Sequence, residues 1–244
     1  MIPFVRRQRI LDELHRKEIV YIQDFITLLE DASESTIRRD LKTLEKQGEI
    51  KLLQGGAATI RQSSSYDMPV ETKQRLHTEE KERIARYSAS LVHDGEVIYI
   101  DSGTTPLAMF QFLRNKQVQI VTSNTAVLST LKGSQFRCVI LGGEVTETLG
   151  SVTGPITDAL LQDMYFDKAF LGATGYSEKS GLSTPDFREA SKKRIVKENS
   201  QQVYVLVDSS KAGKQSLCKF MDLGEATIIT DEANEALERA GNYI

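Results

Sequence analysis

The chain has 244 residues, 40% of them hydrophobic and 27% charged, with a formal net charge of −3. That length suits two modest domains with real cores, and no apolar run approaches the ~20 residues that span a bilayer. Cys138 and Cys218 are too few and too far apart for a disulfide scaffold or a zinc site, and they fit a reduced, cytosolic compartment. The first seven residues lack the apolar core of a signal peptide. Residues 1–61 hold 11 Lys and Arg against 10 Asp and Glu, and the remainder 20 against 24. Any affinity for nucleic acid must therefore come from where charges stand, not from their sum.

In chain order, residues 5–16 read as a helix with Ile10, Leu11 and Leu14 on one face, and Lys17-Glu18 as a turn. Residues 22–30 read as a second helix, with Tyr21 where a Ser or Thr cap is more usual. After Asp31-Ala32, Ser33 is placed to cap a third helix with Ile37, Leu41 and Leu44 at helical spacing. Its other face carries Ser35, Thr36, Arg38, Arg39, Lys42 and Lys46. Small hydroxyls and arginines near a helix start, with lysines behind, suit entry into a DNA major groove. The plain alternative is an ordinary solvated helix face. Gly48 can stop the helix. Residues 49–53, the turn Gln54-Gly55-Gly56 and residues 57–60 read as a hairpin, with Lys51 and Arg61 as candidate wing contacts. Three helices and a hairpin describe a winged helix-turn-helix for double-stranded operator DNA.

The motifs Arg9-Ile10-Leu11, Ser33-Glu34-Ser35-Thr36-Ile37-Arg38-Arg39-Asp40-Leu41, Leu44-Glu45-Lys46-Gln47-Gly48 and Gly55-Gly56-Ala57 resemble the helix-turn-helix of DeoR-type bacterial repressors. The chain departs from that pattern at Asp31-Ala32, where the family usually has Gly-Val, and in a wing without His.

Residues 61–70 are polar and Ser-rich, and read as a flexible linker between a 1–60 domain and a 71–244 domain. Residues 71–91 read as one long helix, charged enough to bridge solvent or to serve as a connector or dimer contact. Strands at 96–101, 118–122, 136–141, 168–172, 203–208 and 226–230 then alternate with helices at 106–113, 125–132, 156–164 and 186–199. That rhythm argues for an α/β domain with a mainly parallel sheet.

Such sheets bind ligands beyond the ends of their strands. Asp101-Ser102-Gly103-Thr104-Thr105 follows the first strand: Gly103 permits close approach, the hydroxyls donate, and Pro106 suits a helix start with free N–H groups. Thr122-Ser123-Asn124, Gly142-Gly143, Gly172 with Gly175, and Asp208 with Lys211 follow the later strands. Glu189 and Lys193 share one helix face. Convergent hydroxyls, glycines and a lysine fit a small phosphorylated polyol.

The same loops, with Gly150 to Gly154, Asp167 to Gly172, Gly181-Leu182, Glu189-Ala190, Lys193-Arg194 and Asp208-Ser209-Ser210-Lys211, resemble the DeoR sensor domain. The resemblance implies a fold shared with ribose-5-phosphate isomerase and CoA transferases, a phosphorylated sugar effector, and a homo-oligomer, dimer or tetramer, that represses a sugar-utilisation operon. The rival reading is a sugar-phosphate isomerase with an attached DNA-binding head. Isomerisation needs paired acid–base groups. Where the isomerases have Asp-Gly-Ala-Asp, this chain has Leu171-Gly172-Ala173-Thr174, with neither carboxylate. A third reading has the C-terminal domain sensing a protein partner. His15, His77 and His93 show no metal spacing. No metal, cofactor, catalytic residue or membrane partner is expected.

Overall fold

The computed structural model describes residues 1–17, 19–53, 56–60, 70–146 and 149–244. The expected linker, but for residue 70, and the first two residues of the expected Gln54-Gly55-Gly56 turn lie outside the described residues, as does Arg61. The chain forms two compact units, Met1–Ser63 and Ser64–Ile244.

The first unit contains α1 (Pro3–Lys17), β1 (Ile19–Tyr21), α2 (Ile22–Leu28), α3 (Glu34–Lys46), β2 (Ile50–Leu53) and β3 (Ala57–Ile60). The apolar stripe of each helix meets one core containing Ile10, Leu14, Phe25, Ile37, Leu41 and Leu44. The Ser33 hydroxyl accepts the Thr36 N–H at 3.3 Å, as its position predicts. Gly48, at φ 79°, ends α3. The weakly marked start of α2 is secured by Asp24, whose carboxylate accepts the Tyr21 N–H at 3.2 Å. The expected two-stranded wing is a three-stranded antiparallel sheet, because β1 joins its edge in the order β1-β3-β2. Three residues are too few to display the alternation that marks a strand. A buried Arg6–Asp40 ion pair ties α1 to α3.

The second unit opens with α4 (Val70–Arg75) and α5 (Thr78–Ser90), where one continuous helix was expected. The break falls at His77, which adopts left-handed backbone at φ 53°. Nor does α5 bridge solvent. Its Ile84, Ala85 and Ala89 are buried in the core of this unit.

There follow β4 (Val97–Ile100), α6 (Thr104–Ala108), α7 (Phe110–Leu113), β5 (Gln119–Thr122), β6 (Arg137–Ile140), β7 (Glu144–Thr146), β8 (Ser151–Thr153), α8 (Pro155–Gln162) and β9 (Phe166–Gly172). The chain continues through β10 (Gly175–Ser177), β11 (Gly181–Thr184), α9 (Phe187–Glu198), β12 (Ser200–Leu206), β13 (Cys218–Met221), β14 (Thr227–Ile229) and α10 (Glu235–Ala240). The helix expected at 125–132 is instead a 3-10 turn, Thr125–Thr130.

All six expected strands pair in parallel in one sheet, ordered β14-β12-β9-β4-β5-β6. Side chains alternate between two cores. Ile98, Ile100, Phe170 and Leu206 face α5 and α7 residues, while Tyr99, Ala169, Leu171 and Val205 lie with α8 and α9 residues on the other side. A strand covered on both faces reads as a continuous apolar run, and each buried large side chain contributes about 1.5–3 kcal/mol. The short antiparallel strands β7-β8 and β10-β11-β13 carry no such run, and the sequence does not announce them. No helix among the described residues is long and apolar enough to cross a membrane.

Candidate functional site

In the first unit, α3 is anchored by its buried face, so its outer face is fixed by default. Ser35, Arg38, Arg39, Lys42 and Lys46 are exposed along it, and Thr36 is half-buried beside the cap. Arg38 is not idle: it bonds Glu34 one turn earlier at 2.7 Å, with both side chains about half exposed. Such a pair is worth about 0.3–0.5 kcal/mol, little to set against a contact with DNA. Lys51 is exposed on β2. The Glu45 carboxylate accepts the Leu52 N–H at 3.0 Å and joins α3 to that strand.

In the second unit, the loops after β4 and β9 meet. These neighbouring strands mark the point where strand order reverses, with β5 and β6 to one side and β12 and β14 to the other. A crevice opens at such a point because successive crossovers leave in opposite directions. A cavity of about 90 Å³ lies there. Of the expected residues, Ser102, Gly103, Thr104, Thr105, Gly172, Glu189, Lys193 and Lys211 line it.

The others do not line it. Asp101 lies immediately behind the wall, fully buried, bonded to the Lys193 ammonium and, at 3.1 Å, to the Gly172 N–H. Asn124 braces the loop by donating to the Gly103 carbonyl at 3.3 Å, and the Thr122 hydroxyl accepts the Asn124 N–H at 3.1 Å. Ser123 bonds Tyr99 and Lys192 in the interior. Asp208 bonds Ser210, and Lys211 beside it holds its carboxyl low against the upward push of burial. The Gly142 carbonyl accepts the Thr157 hydroxyl at 2.9 Å, and Gly143 serves packing: a Cβ on Gly143 would stand 2.1 Å from the Thr157 hydroxyl oxygen and 2.7 Å from the Thr153 carbonyl oxygen. Gly175 likewise passes close to the Lys214 backbone, 2.5 Å from where its Cβ would lie.

A charge network runs from the wall into the interior behind it. Glu189 accepts from Ser151 at 2.5 Å, Ser102 at 3.2 Å and Lys192 at 2.9 Å, with the Lys193 ammonium 3.8 Å away. Burial pushes its carboxyl up, but the two ammonium groups and the Ser151 hydroxyl outweigh it and bring it down to about 2. Lys192 is fully buried and also donates to Ser123 and Ser151, each at 2.9 Å. Sequence reasoning passed over it as a neighbour of Lys193.

It also missed one whole wall. Val70, Lys73, Leu76, His77 and Lys81, from α4, the turn and α5, line the cavity together with Leu149, Thr174 and Thr184. The Lys81 ammonium donates to the carbonyls of Lys73 and, at 2.6 Å, Leu76. Burial lowers it to about 8, with Lys211 adding to the effect. No local pattern advertises this, since a lysine in a charged helix reads as solvated. α6 has only five residues, so its end contributes little field. The positive charge lining the cavity comes from Lys73, Lys81, Lys193 and Lys211. Among the described residues no group of His, Cys, Asp and Glu could hold a metal ion.

The model of the DeoR-like helix-turn-helix domain matches residues 6–63, and that of the DeoR C terminal sensor domain matches residues 76–232. The uncharacterized HTH-type transcriptional regulator FruR of Bacillus subtilis (strain 168) is 38% identical over 96% of this chain and 93% of that one. The glycerol-3-phosphate regulon repressor of Escherichia coli (strain K12) is 36% identical over 82% and 81%. The lactose phosphotransferase system repressor of Streptococcus mutans (serotype c, UA159) is 30% identical over 98% and 96%. Among solved structures, ribose 5-phosphate isomerase A from Methanocaldococcus jannaschii is similar over 55% of this chain and 54% of that one, at 22% identity and a TM-score of 0.41. The chain belongs to the DeoR family of DNA-binding transcriptional regulators, with the family's helix-turn-helix at its N-terminal end and its sensor domain after it.

Proposed function

We propose that this regulator represses a sugar-utilisation operon in the cytoplasm and is controlled by a phosphorylated sugar bound in the second unit. Residues 1–60 grip operator DNA through Ser35, Thr36, Arg38, Arg39, Lys42, Lys46 and Lys51. Residues 71–244 take the effector and hold the subunits together as a dimer or tetramer, which an inverted-repeat operator requires. The observation that carries the effector reading is the composition of one cavity: four lysines, four threonines and a serine, with a single ionised carboxylate, Glu189, among them. Lysines suit a phosphate and Glu189 suits a sugar hydroxyl. A glycerol-3-phosphate regulon repressor and a lactose phosphotransferase system repressor among its relatives support an effector of the sugar or polyol class.

The chain is not an enzyme in this reading. A carboxylate held near 2 by two ammonium groups is a poor base for a carbon-bound proton, and Thr174 stands in the cavity wall where an isomerase has Asp. The test is a screen of phosphorylated sugars by thermal shift, since a ligand specific to the folded state raises its stability. A hit should release operator DNA from the native protein and not from Lys211→Ala, whose DNA binding stays intact. Turnover of the hit, or normal release in Lys211→Ala, would reject the reading.

A further inference from the structure

Residues 70–77 belong to the cavity and to the connection at once. They supply Val70, Lys73, Leu76 and His77 to the wall. They are also the first described residues after the 61–69 segment that follows the DNA-binding unit in the chain. Their conformation depends on a residue outside them. The turn at His77 is left-handed, the one described non-glycine residue with positive φ. Lys81 donates to the Lys73 carbonyl, which also accepts the Leu76 N–H at 3.3 Å, and, at 2.6 Å, to the Leu76 carbonyl. An ammonium has three protons. Two hold the Lys73 and Leu76 carbonyls, while the same side chain lines the cavity. Lys211 and Lys73 repel it there, and Asp208 and Glu80 attract it.

We infer that residues 70–77 form a strap which an anionic ligand fastens through Lys81. A phosphate in the cavity accepts the third proton of Lys81 in a hydrogen bond and offsets the repulsion from Lys73 and Lys211. The two remaining bonds then hold the strap more firmly. A neutral polyol fills the same space without relieving that repulsion, so fastening depends on the charge. Ligand affinity and strap order are reciprocal by linkage. The signal therefore leaves the sensor through the chain entering it, at the end joined to the DNA-binding unit. This rests on the reading that the cavity takes a phosphorylated ligand.

The test is amide hydrogen exchange on the full chain with glycerol 3-phosphate, inorganic phosphate or glycerol added. Either anion should slow exchange at residues 71–78 on the order of tenfold, a usual size for coupling between sites, and glycerol should not. Lys81→Met should lose that response while residues 102–105 still gain protection at higher anion concentration, and Lys81→Arg should keep part of it. Protection at 102–105 and 172–174 with 71–78 unchanged overturns the strap and leaves the phosphate site standing. No protection anywhere with either anion overturns both. The native chain alone decides between these if the variants do not fold.

Discussion

Arg38 and Arg39 stand side by side on α3 but start from different states. Arg38 is paired with Glu34, whereas Arg39 has no ion pair among the described residues. Arg39→Ala should weaken operator binding by about 1–3 kcal/mol if it reads a base. Glu34→Gln should tighten it a few-fold by releasing Arg38 and removing a negative charge near phosphate. Fluorescence anisotropy on a labelled operator measures both, and weaker binding by Glu34→Gln would mean that the pair positions Arg38. In the sensor, Glu189 makes a prediction about acid. Its carboxyl falls from 4.5 to about 2 on folding, so between those values the unfolded chain holds the extra proton. The stability it contributes is complete above pH ~4.5 and is lost as pH falls toward 2. Urea denaturation at a series of pH values should show a shallower acid slope for Glu189→Gln than for the native chain; equal slopes would place the charge network elsewhere.

At the level of elements, the hairpin β7-β8 is held to α8 by a close approach that only glycine allows. Gly143→Ala should cost at least about 1–3 kcal/mol through overpacking against Thr157 and Thr153, with backbone strain at φ 149° added. A thermal melt unchanged by that substitution would mean the hairpin yields easily. The same element shows what the sequence could reveal. The six parallel strands were legible because burial on both faces writes each as an apolar run, and α3 because its cap and stripe are local. The three-residue strands were not, because their partners lie far along the chain. The loops after β4 and β9 were legible as a site from their glycines and hydroxyls. Gly143 and Gly175 carry the same signature for packing reasons, so composition alone did not separate them from Gly103 and Gly172. The α4–α5 wall was invisible because its cause is one ammonium reaching back to carbonyls five and eight residues earlier.

At the level of the molecule, each unit has its own core, one around Phe25 and Leu41 and the others on the two faces of the sheet. Separate cores predict separate melting. Asp40→Ala removes one partner of a buried ion pair and should lower the transition of the N-terminal unit by about 3–5 kcal/mol, leaving the transition of the sensor in place. Differential scanning calorimetry would detect this, and a single transition that moves as a whole would show that the units unfold together. The order of the units has a consequence in the cell. Everything the first core needs has been translated once Ser63 emerges from the ribosome, whereas the large sheet lacks its edge until Thr227 has been added. For most of its synthesis the nascent chain thus carries a finished reading head and no means of being told to let go, and a premature stop codon anywhere in the later two-thirds of the message would leave it in that condition.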